Sequence, residues 1–151
     1  MNYRKKKQYF LNDEYAVLGL PMRLTVSLII GAIALLAILS FILNPCVFPH
    51  KMHVSITPLV TTVQGWAPEN VSFTVIVHDT NGVPLRGASV IIKGLGGAGS
   101  GFSDEAGRTS VDLQVWLEDG LNEGYLDISV KATCHVTFEQ SEMIKVVKGI
   151  P

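Results

Sequence analysis

Cysteine and charge are both scarce in this chain. Two cysteines in 151 residues are too few for a disulfide-built scaffold or a four-thiolate metal centre. Charged residues make up 17%, below the roughly 25% of soluble domains. The net charge of −1 lacks the basic excess that a nucleic-acid partner would demand. Catalytic signatures are missing as well. There is no G-x-S-x-G, no H-E-x-x-H and no carboxylate pair set in an evident cleft. The chain therefore reads as a non-enzyme with no cofactor, no bound metal and no small-molecule substrate in evidence.

What is present is unevenly distributed. The mean hydropathy is +0.34, and one segment accounts for it. Residues 24–43 carry no charge at all, whereas 1–23 hold Arg4, Lys5, Lys6, Lys7 and Arg23 against Asp13 and Glu14, so 5 − 2 = +3. Residues 44–151 hold seven basic and eleven acidic groups, so 7 − 11 = −4. An apolar run of this length makes a helix of about 30 Å, the thickness of a bilayer's hydrocarbon core. A helix bonds its own backbone, so it can sit in lipid. A buried core helix with no polar face would need a larger protein around it. Asn44-Pro45 predicts the stop. The basic excess before the run predicts a leader, 1–23, in the cytoplasm and the remainder outside. A cleaved secretory signal would have a shorter core and an A-x-A-like site, and Pro45 before Cys46 does not fit a lipoprotein box.

A basic leader, then Gly19, then the apolar helix resembles the class III signal of archaeal type IV pilins over roughly residues 4–43. The resemblance implies cutting after Gly19 and bundling of the freed helices in a filament. Pro21 and Arg23 would then stand in the mature N-terminus, and Leu24 where many bacterial pilins carry a glutamate. The alternative for the same residues is a plain uncleaved anchor.

Beyond a tether over 44–52, apolar and polar residues alternate. Val71, Phe73, Val75 and Val77 form one such set; Ala88, Val90 and Ile92 a second; Thr109, Val111, Leu113, Val115 and Leu117 a third; Leu126, Ile128, Val130 and Ala132 a fourth. A period of two with one polar face marks half-buried antiparallel strands. Shorter candidates lie at 53–57 and 143–147. Turn residues separate the runs: Thr80-Asn81-Gly82, Asp104–Gly107, Asp119-Gly120 and Glu123-Gly124. Six or seven strands over 53–149 predict an all-β antiparallel sandwich after one transmembrane helix.

Asp79-x-Asn81-Gly82-x-Pro84-Leu85-x-Gly87-Ala88-x-Val90, with Ser103-Asp104-Glu105-x-Gly107 and Gly124–Ala132, resembles carboxypeptidase regulatory-like and bacterial Ig-like domains across roughly residues 71–132. Such modules are similar to transthyretin-like sandwiches. The resemblance implies a spacer, adhesion or assembly unit of a small archaeal surface protein, in contact with the bilayer and with other surface proteins or copies of itself. A shared fold carries no shared function.

Gly94-Leu-Gly96-Gly97-Ala-Gly99 has the G-x-G-x-x-G spacing, but Ser100 to Gly107 would not propagate the helix a dinucleotide needs. A flexible loop over 94–101 is expected instead, with Gly94, Gly96, Gly97, Gly99 and Gly101 as a contact surface between subunits, because glycine admits close backbones. His50 and His53 flank the membrane, while His78 and His135 read as solvated. Acids at Asp104-Glu105, Glu118-Asp119, Glu123 and Asp127 match no EF-hand, and leave an extracellular calcium or glycan binder as an alternative. Cys134 continues the parity of Leu126–Ala132 and reads as a buried free thiol, Cys46 as an interchain crosslink; a 46–134 bridge stays open. Asn70-Val71-Ser72 is a candidate glycosylation sequon.

Overall fold

A computed structural model describes residues 6–44, 46–65 and 67–150, with backbone alone over 6–18. Arg4, Lys5 and Pro45 lie outside the described residues. The chain divides after Val47 into two units.

The first unit is a single helix, α1, Lys6–Ile42. It begins well before the apolar run, and its stretch Gly19–Ile42 is long and apolar enough to cross a membrane. At 1.5 Å per residue, 24 residues span about 36 Å. None of that stretch is buried within the protein, so Leu28, Ile33 and Phe41 present their side chains outward. Pro21 sits inside the helix; the Thr25 hydroxyl donates to its carbonyl at 2.7 Å. The end is an Asx turn, in which the Cys46 N–H donates to Asn44 Oδ1 at 3.0 Å.

The second unit is a β-sandwich of eight strands, one or two more than the alternation predicts. They are β1 Met52–Thr57, β2 Val60–Val63, β3 Glu69–Asp79, β4 Ser89–Gly94, β5 Gly97–Phe102, β6 Arg108–Val115, β7 Glu123–Lys131 and β8 Phe138–Lys148. One sheet runs β1-β3-β6 and the other β2-β8-β7-β4-β5. All pairs are antiparallel except β2 with β8. Pro58 has no N–H for a ladder, and the chain changes sheets there, leaving β1 in one and β2 in the other.

The alternating residues named above point inward. Phe73, Val75, Val77, Val90, Ile92, Val111, Leu126, Val130, Ile144 and Val146 belong to one buried cluster fed by both sheets. Burying each such side chain contributes roughly 1.5–3 kcal/mol. The turn signals do a different job from the one expected. The Asp79–Val83 turn is closed by the Asp79 N–H donating to Val83 O at 2.9 Å, yet β3 and β4 lie in opposite sheets. Asp104–Gly107 likewise joins β5 to β6 across the sandwich. The directly connected hairpins are β4–β5 and β7–β8.

Three expectations are corrected here. Residues 94–101 are not a flexible loop. Leu95 and Gly96, with φ 49° and 77°, make the two-residue turn of a tight hairpin, and β5 follows. The inner side of four of these glycines meets the protein's own atoms. A Cβ on Gly97 would strike the Gln114 carbonyl oxygen, one on Gly99 would lie 2.5 Å from Asp112 O, and one on Gly101 2.5 Å from Thr109 Oγ1. A Cβ on Gly94 would meet Tyr125 O at 2.8 Å, and of the five only Gly96 faces open space. The strand is glycine-rich because β6's backbone lies against it, a demand that propensity disguises as a loop. Cys134 is not a buried free thiol either. Strand β7 ends at Lys131, and Cys134 sits half-buried in a turn at φ 60°. Neither cysteine is free; both are disulfide-bonded. The tether is also shorter than 44–52: the His50 N–H donates to Cys134 O at 3.1 Å, and His50 O accepts from the Val136 N–H at 2.8 Å.

Gly97→Ala forces a methyl into the Gln114 carbonyl and is expected to destabilise the domain by about 1–3 kcal/mol. Ser100→Ala, on the exposed side of the same strand, is expected to stay within about 0.5 kcal/mol of the parent in urea unfolding.

Candidate functional site

Three places on the sandwich gather side chains or backbone groups that local structure leaves unused. The first is the rim where β5 meets β6. The carbonyls of Ser110, Asp112 and Gln114 point at Gly101, Gly99 and Gly97, so the outward edge of β6 is covered by glycine α-carbons rather than water. The Trp116 N–H donates to Leu95 O at 3.1 Å and ties the end of β6 to the hairpin turn. β5 overhangs as the last strand of the larger sheet. Beside it opens a cleft of about 670 Å³, lined by Asn70, Ser72, Gly96, Ala98, Asp112 and Gln114 among others. Ser72 Oγ donates to Asp112 Oδ1 at 2.5 Å across β3 and β6. Asn70 is exposed here and opposite Gln114, so the sequon's asparagine is open to solvent at the cleft.

The second place is the outer face of the larger sheet. The pairing of β7 and β8 slips between Leu126 and Ile128, where Glu142 takes φ 56° and its N–H donates to Asp127 Oδ1 at 2.9 Å. This bulge raises Ser141 beside a groove of about 230 Å³ lined by Ile91, Lys93, Asp127, Ser129, Glu139 and Gln140. That volume falls below the roughly 300–1,000 Å³ of ligand pockets, and none of the lining residues is aromatic. The groove is therefore a poor cradle for a sugar ring.

The third place is the pole where the chain enters the sandwich. It collects all four histidines, which the sequence divided into two pairs of different character. His53 lies opposite His78 across β1 and β3. The rings of His50 and His135 stand 6.2 Å apart, and His135 Nδ1 lies 2.7 Å from Thr133 O. His78 and His135 are half-buried rather than fully solvated. Asp79 is at the same pole. Its Oδ1 accepts from the Val83 N–H at 2.8 Å and from the Asn81 N–H at 2.7 Å. These bonds, the Val83 one first, hold its carboxyl below the usual aspartate value, with His135 adding to the effect. Among the described residues, no three His, Cys, Asp or Glu groups are placed to hold a metal ion.

Four of the acids considered from sequence as a calcium set, Asp104, Glu105, Glu123 and Asp127, are engaged separately. Asp104 Oδ1 accepts from the Ala106 and Arg108 N–H groups, both at 2.9 Å. Glu105 pairs with Arg86 at 3.1 Å. Glu123 pairs with Lys145, whose ammonium also lies 5.9 Å from the Tyr125 ring centre. This pairing lowers the Glu123 pKa and raises that of Lys145. Gly19 is a helical residue with no neighbour within 4 Å of where its Cβ would be.

Sequence reasoning missed the overhang of β5, with Ala98, Ser100 and Phe102 on its exposed side. The available signal was the alternation of glycine with other residues from Gly97 to Phe102, which has a strand's period of two. No protein-family model matches the chain, and no curated protein matches it in sequence.

Because the folded-state pKa of Asp79 lies below its ordinary value of 3.8, its contribution is fully present above that value. It is lost as pH falls through the depressed one. Asp79→Ala is therefore expected to lose less stability than the parent between pH 5 and pH 2, although it starts less stable at pH 7. Parallel thermal melts of the two proteins across that range check this. Equal losses in both would show that the turn carboxylate does not carry the dependence.

Proposed function

We propose that this chain is a single-pass envelope protein that is not an enzyme. Its basic leader stays in the cytoplasm, and its sandwich is displayed on the outer side for structural contacts with other surface proteins or with copies of itself. The observation that carries the reading is the pairing of an unburied apolar helix, Gly19–Ile42, with a compact domain in which neither cysteine is free. An apolar rod with no protein around it belongs in lipid. Disulfides persist in oxidising compartments and are rare in the cytosol. The surplus of Lys and Arg before the helix supports the same orientation independently.

The strand order supports an Ig-like assignment over a transthyretin-like one. Labelling β1, β3, β4, β6, β7 and β8 as A, B, C, E, F and G, the sheets read A-B-E and G-F-C with β5 beside C, a Greek-key sandwich of Ig type. Ig-like sandwiches present sheet faces, edges and end loops, and among the described residues the two clefts on the sandwich gather no nucleophile–base pair. Contact is the role that remains. Calcium and glycan binding lose ground to the dispersed carboxylates and the small aromatic-free groove.

The protein is expected to stay with membranes through alkaline carbonate and to dissolve only in detergent. Protease added to intact cells is expected to remove the sandwich while leaving a fragment near the size of α1. A sandwich protected in intact cells and digested only after lysis would overturn the orientation. Intact-mass measurement separates the anchor from the filament-subunit alternative: a chain starting at Met1 or Asn2 is an anchor, one starting at Leu20 has been cut after Gly19. Both cysteines are expected to resist alkylation until reduced. Cys134→Ser is expected to cost about 2–4 kcal/mol of domain stability, read by thermal melting in detergent.

A further inference from the structure

The strands that end the two sheets differ in how they are protected from a foreign strand. β6 is covered by the glycines of β5. β2 has four residues and follows Pro58. β1 is bounded by Pro49 and Lys51 before it and Pro58 after it. β5 has none of the usual devices: from Gly94 to Ser103 there is no charge and no proline, and its pairing with β4 runs through six residues without a bulge. Natural edges normally carry at least one of these.

The tight turn fixes which backbone groups of β5 are free. Gly94 and Gly97 flank the two-residue loop as a hydrogen-bonded pair, so the alternation gives the N–H and C=O of Gly97, Gly99 and Gly101 to β4. Those of Ala98, Ser100 and Phe102 point outward. Their side chains are exposed on the outer face. Phe102 is 75% exposed, with Ile91, 39% exposed, diagonal to it on β4.

We propose that β5 pairs antiparallel with β5 of a second copy, joining the two larger sheets edge to edge around a two-fold axis at Ser100. The three outward residues are symmetric about Ser100. Two copies in opposite directions therefore match Ala98 with Phe102 of the other, Ser100 with Ser100, and Phe102 with Ala98, in about six hydrogen bonds. Each match sets the ring of Phe102 beside a methyl, large against small, so the face is complementary to itself. The absence of charge removes the like-charge repulsion that a two-fold contact imposes on any ionised strand. The cleft beside Gly96 and Ala98 leaves the overhanging edge unobstructed. The inference deepens the contact role proposed above by naming the partner, and it does not depend on which side of the membrane the domain occupies.

The test uses the full-length protein in its native membranes and in detergent. Ser100→Cys places two thiols on the axis, with Cα atoms about 5.5 Å apart, inside the range of a disulfide. Mild copper-phenanthroline oxidation of membranes is expected to yield a covalent dimer. Thr62→Cys, exposed on β2 at the far side of the same sheet, is expected to yield at least about tenfold less. In density-matched detergent, sedimentation equilibrium is expected to find a dimer for the parent. Ser100→Pro removes an N–H that points away from β4, so the hairpin keeps its ladder. It is expected to raise the dissociation constant about tenfold or more, with an unchanged far-ultraviolet spectrum. A parent that stays monomeric, equal crosslinking at positions 62 and 100, or a dimer indifferent to Ser100→Pro would each overturn the pairing. Protease shaving reports on orientation alone, so the two readings fail separately.

Discussion

The sandwich depends on one apolar layer into which strands from both sheets send every second side chain. Phe73 and Val75 reach it from β3, Val111 from β6, and Val90, Ile128 and Ile144 from the opposite sheet, all buried almost completely. Because the side-chain period of a strand is two, a slip of one residue in any of these ladders would turn its apolar set to water. The layer therefore sets register as well as stability. Everything on the outside, from the bulge in β8 to the histidines at the entry pole, sits where it does because the inner residues are already committed.

A layer of this kind leaves strands at its margins with unpaired backbone groups, and the two rims of the sandwich handle them differently. On one rim the chain breaks its first strand at Pro58 and distributes the halves, β1 and β2, between the two sheets, so each edge is interrupted by the proline. On the other rim, β5 has given up side chains on its inner face. Gly97, Gly99 and Gly101 let β6's carbonyls approach to distances a Cβ would forbid. That closes β6, and it moves the open edge one strand outward to β5. Protection of one edge and exposure of the next are consequences of the same three glycines.

The anchor and the domain make opposite demands on water, and the chain meets them in sequence. Helix α1 satisfies its backbone internally, and its stretch Gly19–Ile42 presents Leu, Ile and Val outward, which suits lipid. The sandwich hides its apolar residues and displays polar ones. Between them the Asn44 side chain caps the turn at the helix end, and His50 is already bonded to the 134–136 segment of the domain.

Much of this was legible in the residues alone. The apolar run announces a lipid-length helix, and the alternation at 71–77, 88–92, 109–117 and 126–130 names the buried face correctly, because both signals are local periodicities. The start of α1 at Lys6 was not, since polar residues leave no periodic mark. Strand β5 was hidden because its period is written in glycines, whose requirement is the backbone of another strand, β6, packed against them. The Asn81-Gly82 turn showed that the chain reverses, and could not show that β4 crosses to the other sheet. Grouping of the four histidines, oxidation of Cys134 and the open edge at Ala98, Ser100 and Phe102 depend on segments distant in sequence meeting in space. Hydrophobicity at fixed spacing already marks which residues are hidden and which segment suits lipid. Which strands lie at the rims, and which groups meet there, follows from long-range pairing that no local pattern encodes.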